Sequence, residues 1–281
     1  MQDAAVGAVP LVTVVLATYN WATVLPYSIA SVLGQTMRDF ELLVIGDACT
    51  DESEAVVRGI GDARVRWMNR VVNAGHQAGP NNEGLQRARG LWTAYLGHDD
   101  LWLPQHLEHL LQAAPDAAGF VHGRQLRIRP GSAPLVAPPR GWTYQPGAWI
   151  PPTSLMHHTA HARTLGGWRF PKDTGRLEPE AEFCLRLARQ FGPPQLAPAV
   201  TSIKLAAAQR RDVYRTRPSH EQAYWTSRIL AAADPERAAL DATRDSVDAA
   251  VGTLPAELQG PLPESAAVRH AVRRRIKGLD A

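Results

Sequence analysis

The 281-residue chain has little cysteine: only Cys49 and Cys184, too few for a disulfide framework. It also lacks any Asn-X-Ser/Thr sequon, and the two absences together fit a reducing, cytoplasmic setting. Long hydrophobic runs are missing as well. The longest, Val9 to Ala17, is broken by Pro10 and Thr13 and falls far short of the ~20 residues of a membrane span. The opening MQDAAVGAVP carries Asp3 and no basic stretch followed by an apolar one, so no signal peptide is expected. Charge of one sign is scarce: 30 Lys plus Arg stand against 27 Asp plus Glu, a net charge of +3. Arg269, Arg273, Arg274, Arg275 and Lys277 outweigh Glu264 and Asp280 over 264–281, so the tail holds the whole excess. The body is neutral, which argues against nucleic acid as a partner. Gly-x-Ser-x-Gly elbows, phosphate-cradling P-loops, dinucleotide glycine fingerprints and zinc spacings are all missing.

What remains is an ordinary globular composition, 45% hydrophobic and 20% charged. Short β-branched or aromatic runs at Val12–Ala17, Glu41–Ile45, Arg64–Met68 and Thr93–Leu96 predict strands. Helical patterns lie between them near 23–35, 52–60 and 80–89, and another starts at Pro104 and runs to about Ala113. Such alternation predicts an α/β fold, a mostly parallel sheet flanked by helices. Residues 130–152 hold 7 of the 22 prolines and read as a loop or edge hairpin. Further on, Leu177–Gln190 reads as a helix, Ala199–Ala206 as a strand, and 219–232, 235–250 and 264–278 as helices. The expected organisation is one domain over 1–215 and a helical C-terminal extension over 216–281.

Ligands of open α/β sheets bind beyond the carboxyl ends of the strands. Three polar clusters sit there: Thr18-Tyr19-Asn20, Asp47-Ala48-Cys49-Thr50-Asp51 and His98-Asp99-Asp100. Adjacent carboxylates repel, so a fold keeps them where a cation or a donor-rich ligand compensates. Oxygen ligands of this kind suit Mg²⁺ or Mn²⁺ together with substrate phosphates. Asp47 can accept from ribose hydroxyls or base N–H groups. Structural roles compete at each place: Asn20 as a helix cap, Asp51 as another, and Asp99–Asp100 as a pair on a helix dipole.

With these residues the sequence resembles the inverting family 2 glycosyltransferases of GT-A fold. VVLATYN (Val14–Asn20), VIGDACTDES (Val44–Ser53), NEGLQRARG (Asn82–Gly90) and YLGHDDLWLP (Tyr95–Pro104) match four family motifs in order. Leu165-Gly166-Gly167-Trp168 is similar to the family's Gly-Gly-aromatic turn, and the run from Glu178 to Arg186 resembles the segment that carries the catalytic base. The resemblance implies that Thr18, Tyr19, Asn20, Asp47, Asn82 and Asp99 line the nucleotide. It implies further that Asp99 and Asp100 hold Mg²⁺ or Mn²⁺, and that Glu180, with Glu182 as competitor, deprotonates the acceptor. A single sugar would then pass, with inversion, from a nucleotide-diphosphate sugar to a glycan, a lipid-linked or a small-molecule acceptor. Neither membrane helices nor a Gln-x-x-Arg-Trp motif is present, which disfavours a processive synthase.

Three departures from the pattern, Gly46, Gly97 and Pro80, motivate an alternative: a nucleotide-sugar-binding or interaction protein that has lost turnover. A sugar-phosphate nucleotidyltransferase would want a glycine-rich basic loop after the first strand, and Thr18–Leu25 has none. In the basic tail, Val268, Val272 and Ile276 fall roughly on one helical face. That helix is expected either to dock on an anionic membrane from the cytoplasmic side or to be solvated or packed on the body.

Overall fold

The computed structural model of the chain describes residues 9–114, 119–130, 132–245 and 263–280, the side chains of 242–245 excepted. The first half alternates as expected: β1 (Val12–Thr18), α1 (Leu25–Leu33), β2 (Phe40–Gly46), α2 (Ser53–Gly59), β3 (Val65–Asn69), α3 (Ala78–Arg87) and β4 (Trp92–Gly97). There follow β5 (Leu101–Trp102), α4 (His106–Ala113), β6 (Phe120–Ile128), β7 (Leu135–Ala137), β8 (Leu155–His158) and α5 (Thr159–Thr164). The chain continues through α6 (Pro179–Phe191), β9 (Gln195–Leu205), α7 (Val213–Thr216), α8 (His220–Ala231), α9 (Pro235–Asp245) and α10 (Ala266–Lys277). Residues 246–250 of the expected 235–250 helix lie outside the described residues.

The strands form one sheet in the order β3-β2-β1-β4-β8-β6-β9-β5, with β7 on β6. From β3 to β4 every pairing is parallel. Beyond β4 the sheet is mixed, because β8 runs antiparallel to both β4 and β6. Parallel strands covered on both faces need apolar residues at every position, and VTVVLA is such a run. Val12, Val14 and Leu16 face Leu25 and Ile29 of α1 and Leu107 and Leu110 of α4. Val15, Leu43, Ile45 and Tyr95 face Leu85 of α3 and Phe183 and Leu187 of α6. With both faces of these strands covered, their carboxyl ends are where a cleft can open.

The C-terminal helices close the far side. Trp225 and Ile229 of α8 share a core with Leu101, Leu126 and Ile203. Helix α10 turns its polar side inward. Arg269 and Arg273 both bond Glu178, and Arg274 and His270 donate to the Gly75 carbonyl. The expected apolar stripe is not a single face, since Ile276 is 2% exposed while Val268 is 49% exposed. Packing on the body is what the fold shows. Among the described residues no helix is long and apolar enough to cross a membrane.

Several histidines are buried as neutral rings. Burial pushes His98, His122 and His157 down to about 4, and His76 and His106 to about 3. Below about pH 6.5 the unfolded chain therefore binds more protons than the folded one, so stability falls as pH drops from 6.5 toward 4. At pH 5 each ring should cost roughly 2 kcal/mol. Urea unfolding at pH 7.5 and pH 5 is expected to give a clearly lower midpoint in acid. An unchanged midpoint would mean that these imidazoles charge freely in the folded chain.

Candidate active site

A cleft of about 570 Å³ opens at the carboxyl ends of β1, β2 and β4. Thr18, Tyr19, Asp47, Asp99, Asp100 and Glu180 all line it. Asn20, Asn82 and Glu182 do not, and each has other work. Asn20 sits at φ 45° and its side-chain oxygen accepts from Thr50 N at 2.7 Å and Asp51 N at 3.3 Å, knitting β1 to the loop after β2. Asn82 clamps the Trp168 backbone at both ends, accepting from its N–H at 2.8 Å and donating to its carbonyl at 2.9 Å. That clamp needs Gly167, where a Cβ would meet the Asn82 oxygen at 2.4 Å. One oxygen of Glu182 accepts from Arg186 at 2.8 Å and Arg169 at 2.9 Å. Trp168 is 2% exposed and stacked on Phe183 at 4.3 Å, so it is core and not a sugar platform.

Asp47 faces the cleft while its oxygens accept from Arg70 and from the Ala74 N–H at 2.9 and 3.0 Å. Its carbonyl also takes the Asn73 amide at 2.8 Å. The carboxylate thus shapes the loop after β3 as well as the cleft wall. After β4, His98 is held at both ring nitrogens, Nδ1 against the Thr18 hydroxyl at 3.0 Å and Nε2 against the Tyr214 hydroxyl at 3.1 Å. That geometry takes His98 out of any ligand role.

The two carboxylates of the acidic pair have different surroundings. Asp100 is fully buried and accepts from Lys204 Nζ at 2.8 Å, Leu205 N at 2.9 Å and the Thr153 hydroxyl. Burial holds it above its ordinary value even beside Lys204. Its expected metal role competes with these contacts, which take three of the roughly four acceptor positions of the carboxylate. Asp99 lines the cleft, and its backbone carbonyl accepts from the Gln222 amide at 3.0 Å. Lys277 reaches the same wall from α10, over the Tyr214 ring at 5.3 Å. Burial pushes its ammonium down to about 8, against the pull of Asp99.

Glu180, in the first turn of α6, is 8% exposed and accepts a hydrogen bond from Gln77. Burial, with help from Glu178, raises it above the usual carboxylate range. Sequence reasoning did not reach Gln77, Asn81, Lys204, Tyr214 or Lys277. All line the cleft, from elements scattered between α3 and α10. Asn81 was one position from the expected Asn82, and its buried amide nitrogen has no partner.

The glycine departures have a spatial cause. A Cβ at Gly46 would meet the Asn69 side-chain oxygen at 2.5 Å and the Trp67 ring at 2.6 Å. Asn69 in turn accepts from Cys49 N and donates to its carbonyl, both at 2.8 Å. At Gly97 a Cβ would meet the Asp100 carboxylate at 2.8 Å. Gly46→Asp is therefore expected to cost ~1–3 kcal/mol by overpacking. Thermal unfolding reads this directly, and an unshifted melting temperature would show that Trp67 and Asn69 yield without cost.

A sheet parallel from β3 to β4, with an acidic pair after β4 at its carboxyl end, flanked by helices and closed by a helical C-terminal region, is the GT-A glycosyltransferase architecture. The chain belongs to glycosyl transferase family 2, whose sequence model matches residues 13–162. The succinoglycan biosynthesis protein ExoO of Rhizobium meliloti is 39% identical over 119 residues, 42% of this chain and 34% of that protein. The UDP-Glc:alpha-D-GlcNAc-diphosphoundecaprenol beta-1,3-glucosyltransferase WfgD of Escherichia coli is 35% identical over 98 residues, 35% of this chain and 38% of that one. The matched region thus spans only about a third of these curated relatives. Among solved structures, the mannosyltransferase PcManGT from Pyrobaculum calidifontis, in complex with GDP-Man and Mn²⁺, superposes with a TM-score of 0.57. Identity there is 17%, over 93% of this chain and 79% of that one, a likeness of fold.

Proposed function

We propose that the chain transfers one sugar from a nucleotide-diphosphate sugar to an acceptor hydroxyl, with inversion and without processivity. The observation that carries this is Glu180: a buried carboxylate on the cleft wall that accepts from the neutral Gln77 amide and, among the described residues, makes no ion pair, with raised basicity. Glu180 takes the hydroxyl proton as the acceptor oxygen bonds the anomeric carbon. The bond from that carbon to the diphosphate breaks on the opposite side, and its electron pair leaves with the nucleotide. Thr18, Tyr19 and Asp47, with Asn73 and Asn81, hold the nucleoside end. The Lys277 ammonium meets the diphosphate charge. Asn20, Asn82, Asp100 and Glu182 act as positioning residues.

Among the described residues no three His, Cys, Asp or Glu side chains gather as a metal cluster. The donor set fits a cation held by Asp99 alone, since Mg²⁺ and Mn²⁺ sites commonly take one carboxylate and complete their shell with phosphates and water. Such an ion would neutralise the diphosphate as the nucleotide leaves. The alternative of an impaired binder rested on Gly46, Gly97 and Pro80, and Pro80 lines the cleft from the first turn of α3. The first position is filled by Trp67 and Asn69 and the second by the acidic pair, so both are built into the fold and neither leaves a hole. The names of relatives make a UDP-sugar and a lipid-linked diphosphate acceptor the first pair to try. A cytoplasmic, membrane-peripheral site of action goes with that pair.

The test is a thermal-shift and donor-hydrolysis panel of UDP-, GDP-, dTDP- and CDP-sugars with Mn²⁺, Mg²⁺ or EDTA. One donor class at 100 times its Kd is expected to stabilise the fold by about 2.7 kcal/mol. If no donor stabilises under any condition, the transferase assignment fails.

A further inference from the structure

Two arginines on the cleft wall stand apart from the nucleotide end. Arg127 is the last residue but one of β6 and Arg129 lies just past its end, and both line the cleft. In the sheet β6 lies two places beyond β4, away from β1 and β2. The other cleft cations have acids: Lys204 has Asp100, Arg273 has Glu178 and Arg274 has Asp280, while Lys277 feels Asp99. Among the described residues Arg127 and Arg129 meet no carboxylate. In the amide orientation that satisfies both groups, the Gln125 oxygen accepts from Arg127 at 2.9 and 3.1 Å. The Arg129 Nε is buried without a partner. Burial and the neighbouring Arg129 together push the Arg127 guanidinium down to about 10. Arg127 also lies over the Trp149 ring at 4.8 Å, and that indole is 40% exposed in the same cleft.

Two half-buried guanidinium groups side by side, without a counter-charge, repel each other and lose solvation. A dianion relieves both costs, and the planar fork of arginine matches phosphate oxygens in pairs. We infer that Arg127 and Arg129, beside Trp149, form a second anion site, on the acceptor side of the cleft. Its ligand is a phosphate or diphosphate group carried by the acceptor next to the sugar that is to be extended. This rests on the transferase reading, because a donor seated over β1, β2 and β4 leaves these arginines to the acceptor.

The experiment uses the full chain saturated with the nucleoside diphosphate that the donor panel selects, and titrates inorganic pyrophosphate by calorimetry. With the donor half filled, the wild type is expected to bind one further equivalent. Arg127→Met and Arg129→Met should each weaken that equivalent at least tenfold and leave the nucleotide Kd within twofold, which also reports that both variants fold. Turnover then separates free anion from acceptor. The KM for a sugar diphosphate on a short alkyl chain should rise at least tenfold in both variants, and that for the neutral glycoside of the same sugar and chain should not move. No second equivalent, or equal losses on charged and neutral acceptors, overturns the site. A parallel loss of nucleotide affinity also overturns it, by giving the arginines to the donor. If no nucleoside diphosphate binds at all, the transferase reading itself fails first, and the two failures are told apart.

Discussion

Glu180→Gln is expected to lower kcat by roughly 10²–10⁴-fold, the range for loss of a general base. The amide keeps the shape and can still pair with Gln77, so nucleotide affinity should stay within about twofold and the fold should hold. The wild-type kcat/KM is expected to fall as pH drops through the raised value of Glu180, because protonation removes the base. In the glutamine variant that acid limb should vanish. Glu182→Gln is the control: Glu182 is bound to Arg169 and Arg186 away from the cleft, so its loss should lower stability and leave the limb in place. If the limb survives in Glu180→Gln and disappears in Glu182→Gln, the base has been assigned to the wrong carboxylate.

Asp100→Ala is expected to destabilise the fold by ~3–5 kcal/mol, the cost of breaking a buried ion pair on one side only. Asp100 is 0% exposed and the Lys204 side chain 21%, so the ammonium left behind has little water to turn to. The Leu205 N–H loses its acceptor at the same time, which loosens the end of β9. Asp100→Ala with Lys204→Met should recover much of the loss, since the orphaned charge goes too. Urea unfolding with a matched m-value checks both. A single-variant loss below 1 kcal/mol would mean that the pair is solvated in solution and that Asp100 is free to take other partners.

The strand ends were legible because chemistry and hydropathy change together there: an unbroken apolar run such as VTVVLA stops at Thr18-Tyr19-Asn20. The roles within each cluster were not. Glu180 and Glu182 lie two positions apart on a helix, about 200° around its axis, and only the packing of Phe183 and Leu187 decides which one turns to the cleft. Asn81 and Asn82 posed the same difficulty on α3. For Asp99 and Asp100 the deciding residue is Lys204, more than a hundred positions away and brought there by β9 pairing antiparallel with β5, where Leu101 lies opposite Ile203. The basic tail was visible as a charge run, but its apolar stripe left open whether it docks on a membrane or packs on the body. Partly buried Glu178 and the Gly75 carbonyl draw its polar side in.

That arrangement of α10 has a consequence for how such proteins diverge. The segment that declares the family, 13–162, contains the cleft wall at the ends of β1, β2 and β4 and the acidic pair, but neither Glu180, Lys204 nor Lys277. Substitutions after residue 162 can therefore change the shape and charge of the cleft while every family motif stays intact. Two chains with indistinguishable motifs can differ in the cleft through one turn of α10. A library aimed at changing specificity has its best leverage there, in residues that no motif search weighs.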